Sequence, residues 1–156
     1  TMQKELRGSL EERFLEAVRF FRAGNFVDAE NLCRKILSNH PSHGDTLNLI
    51  GLIQARGGYF KTAIDFLRRA TKSEGLNVGY HFTLGEVLVA AGDFDGAIIS
   101  LSRALSLQSD DVACLVNLGM ANIHLQNWPQ AVDALTCAVD IAPKEAGVYA
   151  RLGVAL

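Results

Sequence analysis

The chain has 156 residues, of which 49% are apolar and 21% charged, with a formal net charge of −2. This is ordinary globular usage, long enough for one substantial core, and the near-neutral balance gives no electrostatic basis for a nucleic-acid or anionic-membrane partner. No apolar run reaches the roughly 18 residues a membrane helix needs, so no membrane insertion is expected. The three cysteines, Cys33, Cys114 and Cys137, have no CxxC spacing and suit reduced, buried thiols in a cytoplasmic protein.

The N-terminus, "TMQKELRGSLEERF", is interrupted by charges throughout and is no secretory signal. Thr1 ahead of Met2 reads as an expression-vector remnant, and residues 1–9 as an extension before the folded part. Ser9 and Glu12 stand in capping-box spacing and open the first helix, with Glu11 and Glu12 as helix-start charges favoured by the dipole. Pro41 stops the helix pair that follows. His40 and His43 flank Pro41 and Ser42, but no third ligand is fixed nearby, so they read as turn residues and no metal is expected.

"LIGLIQARGGYFKTA", residues 49–63, reads as two amphipathic helices joined by a Gly-Gly turn, with Gly51 inside the first at a cost of about 1 kcal/mol relative to alanine. "GYHFTLGEVLVAAGDFDGAIISLSRALSLQ" repeats the pattern. Phe82, Leu84, Leu88 and Val89 fall at helical spacing, "AAGD" supplies a left-handed glycine, and Asp93 caps a second helix beginning near Phe94. That helix carries Ala97, Ile98, Leu101, Ala104 and Leu105. Pro143 stops the last full pair, and no stretch reads as a strand. The final "AGVYARLGVAL" has one charged residue, Arg151, and no polar outer face. The expectation is a longer natural protein, or association of this fragment into a homo-oligomer through its uncapped C-terminal helix.

One period runs through these elements. Gly51, Gly85, Gly119 and Gly153 recur at a constant interval (85 − 51 = 34), with Ala17 in the same phase one interval earlier. Further columns are Ala29, Ala63, Ala97 and Ala131; Ile36, Ala70, Ala104 and Ala138; Cys33, Leu67, Leu101 and Leu135; and Phe26, Phe60, Phe94 and Trp128. Each glycine precedes an alanine by twelve residues (63 − 51 = 12), so the two small residues are expected to face each other and bring the helices close.

The order Gly51, Ala63, Leu67, Ala70, with its translated copies, resembles the tetratricopeptide repeat. That family's period is about 34 residues, the interval found here. The resemblance covers residues 10–156 as a single domain: repeats 10–43, 44–77, 78–111 and 112–145, and a partial fifth, 146–156. The early aromatic of the family pattern is replaced by Arg13, Leu47, His81 and Leu115, its tyrosine by Gln54 and Asn122, and its closing proline by Gly75 and Ser109 in the middle repeats. Arg13 and Glu16 stand where later copies are apolar, as a first helix without a preceding neighbour permits.

What the resemblance implies is an all-α, right-handed superhelix of antiparallel helix pairs (an α-solenoid), with first helices lining a concave groove and second helices outside, Arg68 and Arg69 among their solvated residues. The implied function is a protein-protein interaction scaffold that binds a peptide or helical segment. The alternatives are the non-catalytic, substrate-recruiting arm of a larger enzyme, of the bacterial or O-linked N-acetylglucosamine transferase type, or a self-assembling scaffold. Groove positions carried over from the family are Phe14, Val18, Phe21 and Arg22; Asn48, Leu52 and Arg56; Phe82, Glu86 and Val89; and Val116, Asn117, Met120 and His124. Phe14, Leu52, Phe82 and Met120 are the expected anchors. The carboxylate clamp of chaperone-binding relatives is absent, since its positions hold Phe14, Val18, Leu49, Gly79 and Thr83. The transferases' asparagine ladder keeps one rung, Asn117, among Leu15, Leu49, Thr83 and Arg151.

Nothing suggests catalysis or a cofactor. "ARGGYF" lacks the lysine and Ser/Thr of a phosphate loop, and neither G-x-S-x-G nor a plausible Cys-His pair occurs.

Overall fold

The computed structural model describes residues 2–156, with side chains described for 9–145, 147–149 and 151–156; Thr1 lies outside the described residues. Two compact units divide at Gly75 and Leu76. The first holds α1 (Met2–Arg22), α2 (Phe26–Asn39), α3 (Gly44–Arg56) and α4 (Phe60–Ser73). The second holds α5 (Val78–Ala91), α6 (Phe94–Leu107), α7 (Val112–His124), α8 (Trp128–Ile141) and α9 (Ala146–Ala155). No strand occurs among the described residues. In each unit consecutive helices pack as hairpins, α1 on α2 and α3 on α4, then α5 on α6 and α7 on α8.

Helix boundaries follow the same period as the core. His43, Asn77 and Asp111, each one period after the last, cap α3, α5 and α7 by accepting the backbone N–H of Thr46, Tyr80 and Cys114 at 3.3, 3.3 and 2.9 Å. Asn25 and Asp93 do the same for α2 and α6. Ser9 occupies this cap column, yet it lies inside α1. The expected capping box is therefore absent: the preceding "MQKEL" is made of strong helix formers, which carry the helix back past Ser9. Glu11 and Glu12 accordingly sit mid-helix, away from any favourable dipole end.

Each hairpin within a repeat turns through a left-handed residue at one column: Gly24, Gly58 and Gly92, at φ 78°, 80° and 81°. The fourth member is Gln126, at φ 59°. A side chain in this region costs about 1–2 kcal/mol, which glycine avoids.

The expected small-residue columns are the core. Ala29, Ala63, Ala97 and Ala131 are fully buried, as are Cys33, Leu67, Leu101 and Leu135, and Ala70 and Ala138 with them. Close approach at the glycines is real, but the partner differs from expectation. A methyl placed on Gly51, Gly85 or Gly119 would lie 2.6 Å from Cγ of Leu67, Leu101 or Leu135, whereas the alanine column offers Gly51 only the carbonyl oxygen of Ala63, at 3.4 Å. The seat on each glycine belongs to the leucine sixteen residues later (67 − 51 = 16), one helical turn beyond the alanine. The first repeat adjusts both sides together. Ala17 stands in the glycine column and the smaller Cys33 in the leucine column, both fully buried in one cluster with Ile50 and Ile53.

One other expectation is corrected: Cys137 is exposed on α8, unlike buried Cys33 and Cys114. Arg69 is exposed as expected and also donates to the Pro41 carbonyl at 2.9 Å, with its guanidinium 5.5 Å from the Phe66 ring, tying α4 to the turn that closes the first repeat.

Burying a leucine side chain contributes about 1.5–3 kcal/mol, more than the roughly 1 kcal/mol that a mid-helix glycine costs. Gly51→Leu is expected to lower stability by at least about 2 kcal/mol through overpacking, read as a fall in the thermal midpoint by circular dichroism. Gln126→Gly is expected to raise stability by about 1 kcal/mol by relieving the left-handed strain. A midpoint unchanged or lowered in urea would contradict it.

Candidate functional site

The expected groove residues stand beside the buried glycine-column residues at helical spacing, Phe14 and Val18 next to Ala17 and Phe82 and Glu86 next to Gly85, and none of them is fully buried. In the first unit Phe14, Val18 and Phe21 project from α1 and pack half-buried against the cluster of Ala17, Ala29, Cys33, Leu49, Ile50 and Ile53. Phe14 meets the His43 ring edge-on, with centroids 5.6 Å apart. On α3, Asn48 and Leu52 are half-buried. The Oδ1 of Asn48 is buried without a hydrogen-bond partner, an arrangement that costs about 1–3 kcal/mol. Arg22 and Arg56 are exposed. The structure joins Arg56 to Phe21: its guanidinium lies 5.1 Å from that ring and 5.9 Å from Phe26, held by the rings' negative faces.

In the second unit Phe82 and Val89 are half-buried on α5, beside exposed Glu86. Burial by its surroundings pushes the Glu86 carboxyl above its ordinary value; a hydrogen bond from the Asn117 side chain opposes this and the charge of Asp111 adds to it. Val116 is partly core, since it packs against both the Leu115–Ala138–Val148 and the Ala131–Leu135–Ala155 clusters. Met120 lines an open apolar cleft of about 390 Å³ with Ile123, Gly147, Arg151 and Val154. His124 is exposed, but its ring stacks flat on Phe94, with centroids 4.3 Å apart and planes at 4°. The α9 side of this cleft is missing from the expected lining. Translation by one period supplies two of its members, since Arg151 follows Asn117, and Val154 follows Met120, at that interval (151 − 117 = 34; 154 − 120 = 34).

Of the other reactive groups, His43 is engaged and two of the three thiols are sealed. His43 Nδ1 sits at the α3 cap, 2.7 Å from Thr46 Oγ1. Among the described residues no group of three His, Cys, Asp or Glu side chains is arranged to hold a metal ion, and no helix is long and apolar enough to cross a membrane. Burial pushes the thiols of Cys33 and Cys114 up to about 12, with Glu30 adding to the first and Asp111 then Glu86 to the second.

This is the geometry of a helical-repeat interaction protein: a column of buried residues on each first helix, bordered by half-open apolar and polar side chains. A family model described as Tetratricopeptide repeat matches residues 14–76 and 82–146, and the chain belongs to that family. BBSome complex member BBS4 of Bos taurus is 23% identical over 171 residues, spanning 88% of this chain and 33% of the relative. The chain therefore spans about a third of that curated relative's length. A crystal structure of MamA superposes with a TM-score of 0.84 at 22% identity, covering 89% of this chain and 81% of MamA. That of YrrB, titled a TPR protein with an unusual peptide-binding site, gives 0.83 at 20% identity, covering 92% and 74%. These likenesses are of fold.

The thiol environments make a chemical prediction. At pH 8 the native protein should consume one equivalent of a thiol reagent, at Cys137, and three after denaturation. The sign of the linkage is also set. Between pH 9 and about 12 the unfolded chain ionises Cys33 and Cys114 before the native one does, so their contribution to stability falls as pH rises through that window.

Proposed function

We propose that residues 10–156 work as one interaction domain that takes a peptide or helical segment of a protein partner on the half-open faces of its first helices. One observation carries the reading: Phe14, Val18, Phe21 and Leu52 in one unit, and Phe82, Val89, Val116 and Met120 in the other, stay partly exposed although they border the buried Ala17, Gly51, Gly85 and Gly119 of their helices. Half-exposed apolar side chains clustered on one face mark interaction surfaces. The family is one of protein-interaction scaffolds, and the peptide-binding site named for YrrB supports the same use here.

Within this reading Phe14, Leu52, Phe82 and Met120 are apolar anchors. Asn48 supplies an acceptor whose unmet hydrogen bond a ligand N–H would satisfy once its side chain rotates outward. Arg22 and Arg56 at one face, and the Glu86–Asn117 pair at the other, set the polar preferences. His124, its ring already covered by Phe94, contributes an edge rather than a stacking face.

The test is partner capture from the source cell with the intact chain, with Phe14→Glu plus Phe82→Glu, and with Ile99→Glu, which alters an exposed α6 residue away from these faces. The double variant, shown by circular dichroism to remain helical, should lose the proteins that the other two retain. Equal recovery by all three would place binding elsewhere.

A further inference from the structure

Arg56 ends α3 with its charge held in place and its donors unspent. Phe21 in the last turn of α1 and Phe26 at the start of α2 set their rings 5.6 Å apart at 58°, forming a notch. The Arg56 guanidinium lies 5.1 Å from the first ring centre and 5.9 Å from the second. Neither contact is a hydrogen bond, and among the described residues no carboxylate, carbonyl or hydroxyl accepts from its five N–H donors. The side chain is exposed, so those donors are available to a ligand. A cation at a helix C-terminus is favoured by the dipole, which accounts for the residue type but not for the double ring seat that fixes its direction.

Charge and spacing around Arg56 specify what fits it. Its reach to Phe21 puts the last turn of α3 beside the last turn of α1, which carries Arg19 and Arg22. Neither last turn holds an acidic residue, and Asp28 on α2 has its carboxylate 2.5 Å from the Asn25 amide. The local charge is therefore positive and unmatched by the first unit itself. Half-buried Leu52 stands one turn before Arg56 on the same side of α3. Four residues of α-helix rise about 6 Å, and side chains two apart on an extended chain lie about 6.6–6.8 Å apart on one side. An extended segment laid along α3 thus matches Leu52 and Arg56 with alternate side chains.

We propose that the first unit takes an extended partner segment that seats an apolar side chain on Leu52 and, two residues away, the carboxylate of an aspartate or glutamate on the Arg56 fork. This rests on the groove reading above and adds the charge and spacing of the occupant. Two parallel N–H···O bonds join a guanidinium to a carboxylate, and the ring notch has already met part of the cost of ordering the arginine. Leu52 and Arg56 lie outside the clamp positions of chaperone-binding relatives, and the carboxylate here is a side chain rather than a chain end.

The probe is an acetylated and amidated peptide, Gly-Ser-Leu-Ser-Glu-Ser-Leu-Ser-Gly, which presents leucine and glutamate at the required spacing in either chain direction. It is titrated against the full chain while the Arg56 Nε–H resonance is followed by nitrogen-15 NMR. Saturable movement of that resonance is expected, with binding at least tenfold weaker when the peptide glutamate is replaced by glutamine. Arg56→Gln and Arg56→Lys, checked for helicity by circular dichroism, should bind both peptides equally, whereas Arg68→Gln on α4 should keep the preference. Raising sodium chloride from about 50 to about 500 mM should weaken the glutamate peptide alone. No binding by either peptide, equal binding of both by the intact chain, or a preference that survives Arg56→Gln overturns the proposal. A twin with phosphoserine in place of glutamate that binds where the glutamate peptide does not would make the ligand a phosphopeptide and overturn it too. Equal binding of both peptides that Phe14→Glu plus Phe82→Glu abolishes would remove the carboxylate and leave the groove reading standing.

Discussion

Each interior repeat depends on a leucine lying against helix backbone left bare by a glycine. Leu67, Leu101 and Leu135 rest so close to Gly51, Gly85 and Gly119 that no side-chain atom fits between. The contact sets the separation of the two helices, and the fully buried alanine columns tolerate that separation because they too are small. The first repeat keeps the separation with a different pair, Ala17 and Cys33, adding volume on one side and removing it from the other. The buried seat can thus be built from more than one pair of residue types, provided a larger residue on one helix meets a smaller one on the other.

The period made the architecture readable. The small-residue and leucine columns mark the buried heart of each helix pair, because a solenoid repeats its contacts as strictly as its sequence. Phase alone does not say which residue of the second helix meets the glycine. Alanine and leucine four residues apart share a helix face, and the contact is decided by the tilt of the side chain along the axis. Ser9 shows the opposite limit: it has the right type in the cap column, yet the helix-forming residues before it outweigh its capping preference. Cys137 was unreadable for a simpler reason. Its column is not one of the packed ones, and thiol chemistry does not distinguish the face of α8 that meets solvent.

The candidate site was legible as a set of positions but not as a set of interactions. Translation along the period brings Arg56 over Phe26 and His124 over Phe94, each residue thirty positions after the aromatic it covers (56 − 26 = 30; 124 − 94 = 30). The last turn of a first helix is thus tied to the start of the preceding second helix. These two polar residues, expected to face a ligand, spend part of their surface holding neighbouring repeats together. The apolar residues nearer the middle of the first helices are half-buried, Phe14, Val18, Phe21 and Val116 packing on the core clusters beneath them.

Glycine and leucine of each seat lie only sixteen residues apart, so the contact is local in the chain. Local contacts close quickly and need no distant segment. As the polypeptide leaves the ribosome, each first helix emerges about a dozen residues ahead of the leucine that will cover it, and for that interval its glycine lies open. Synthesis at about 5–20 residues per second makes the interval about one second. The short separation that gives the fold its regularity also limits how long each glycine seat stays open.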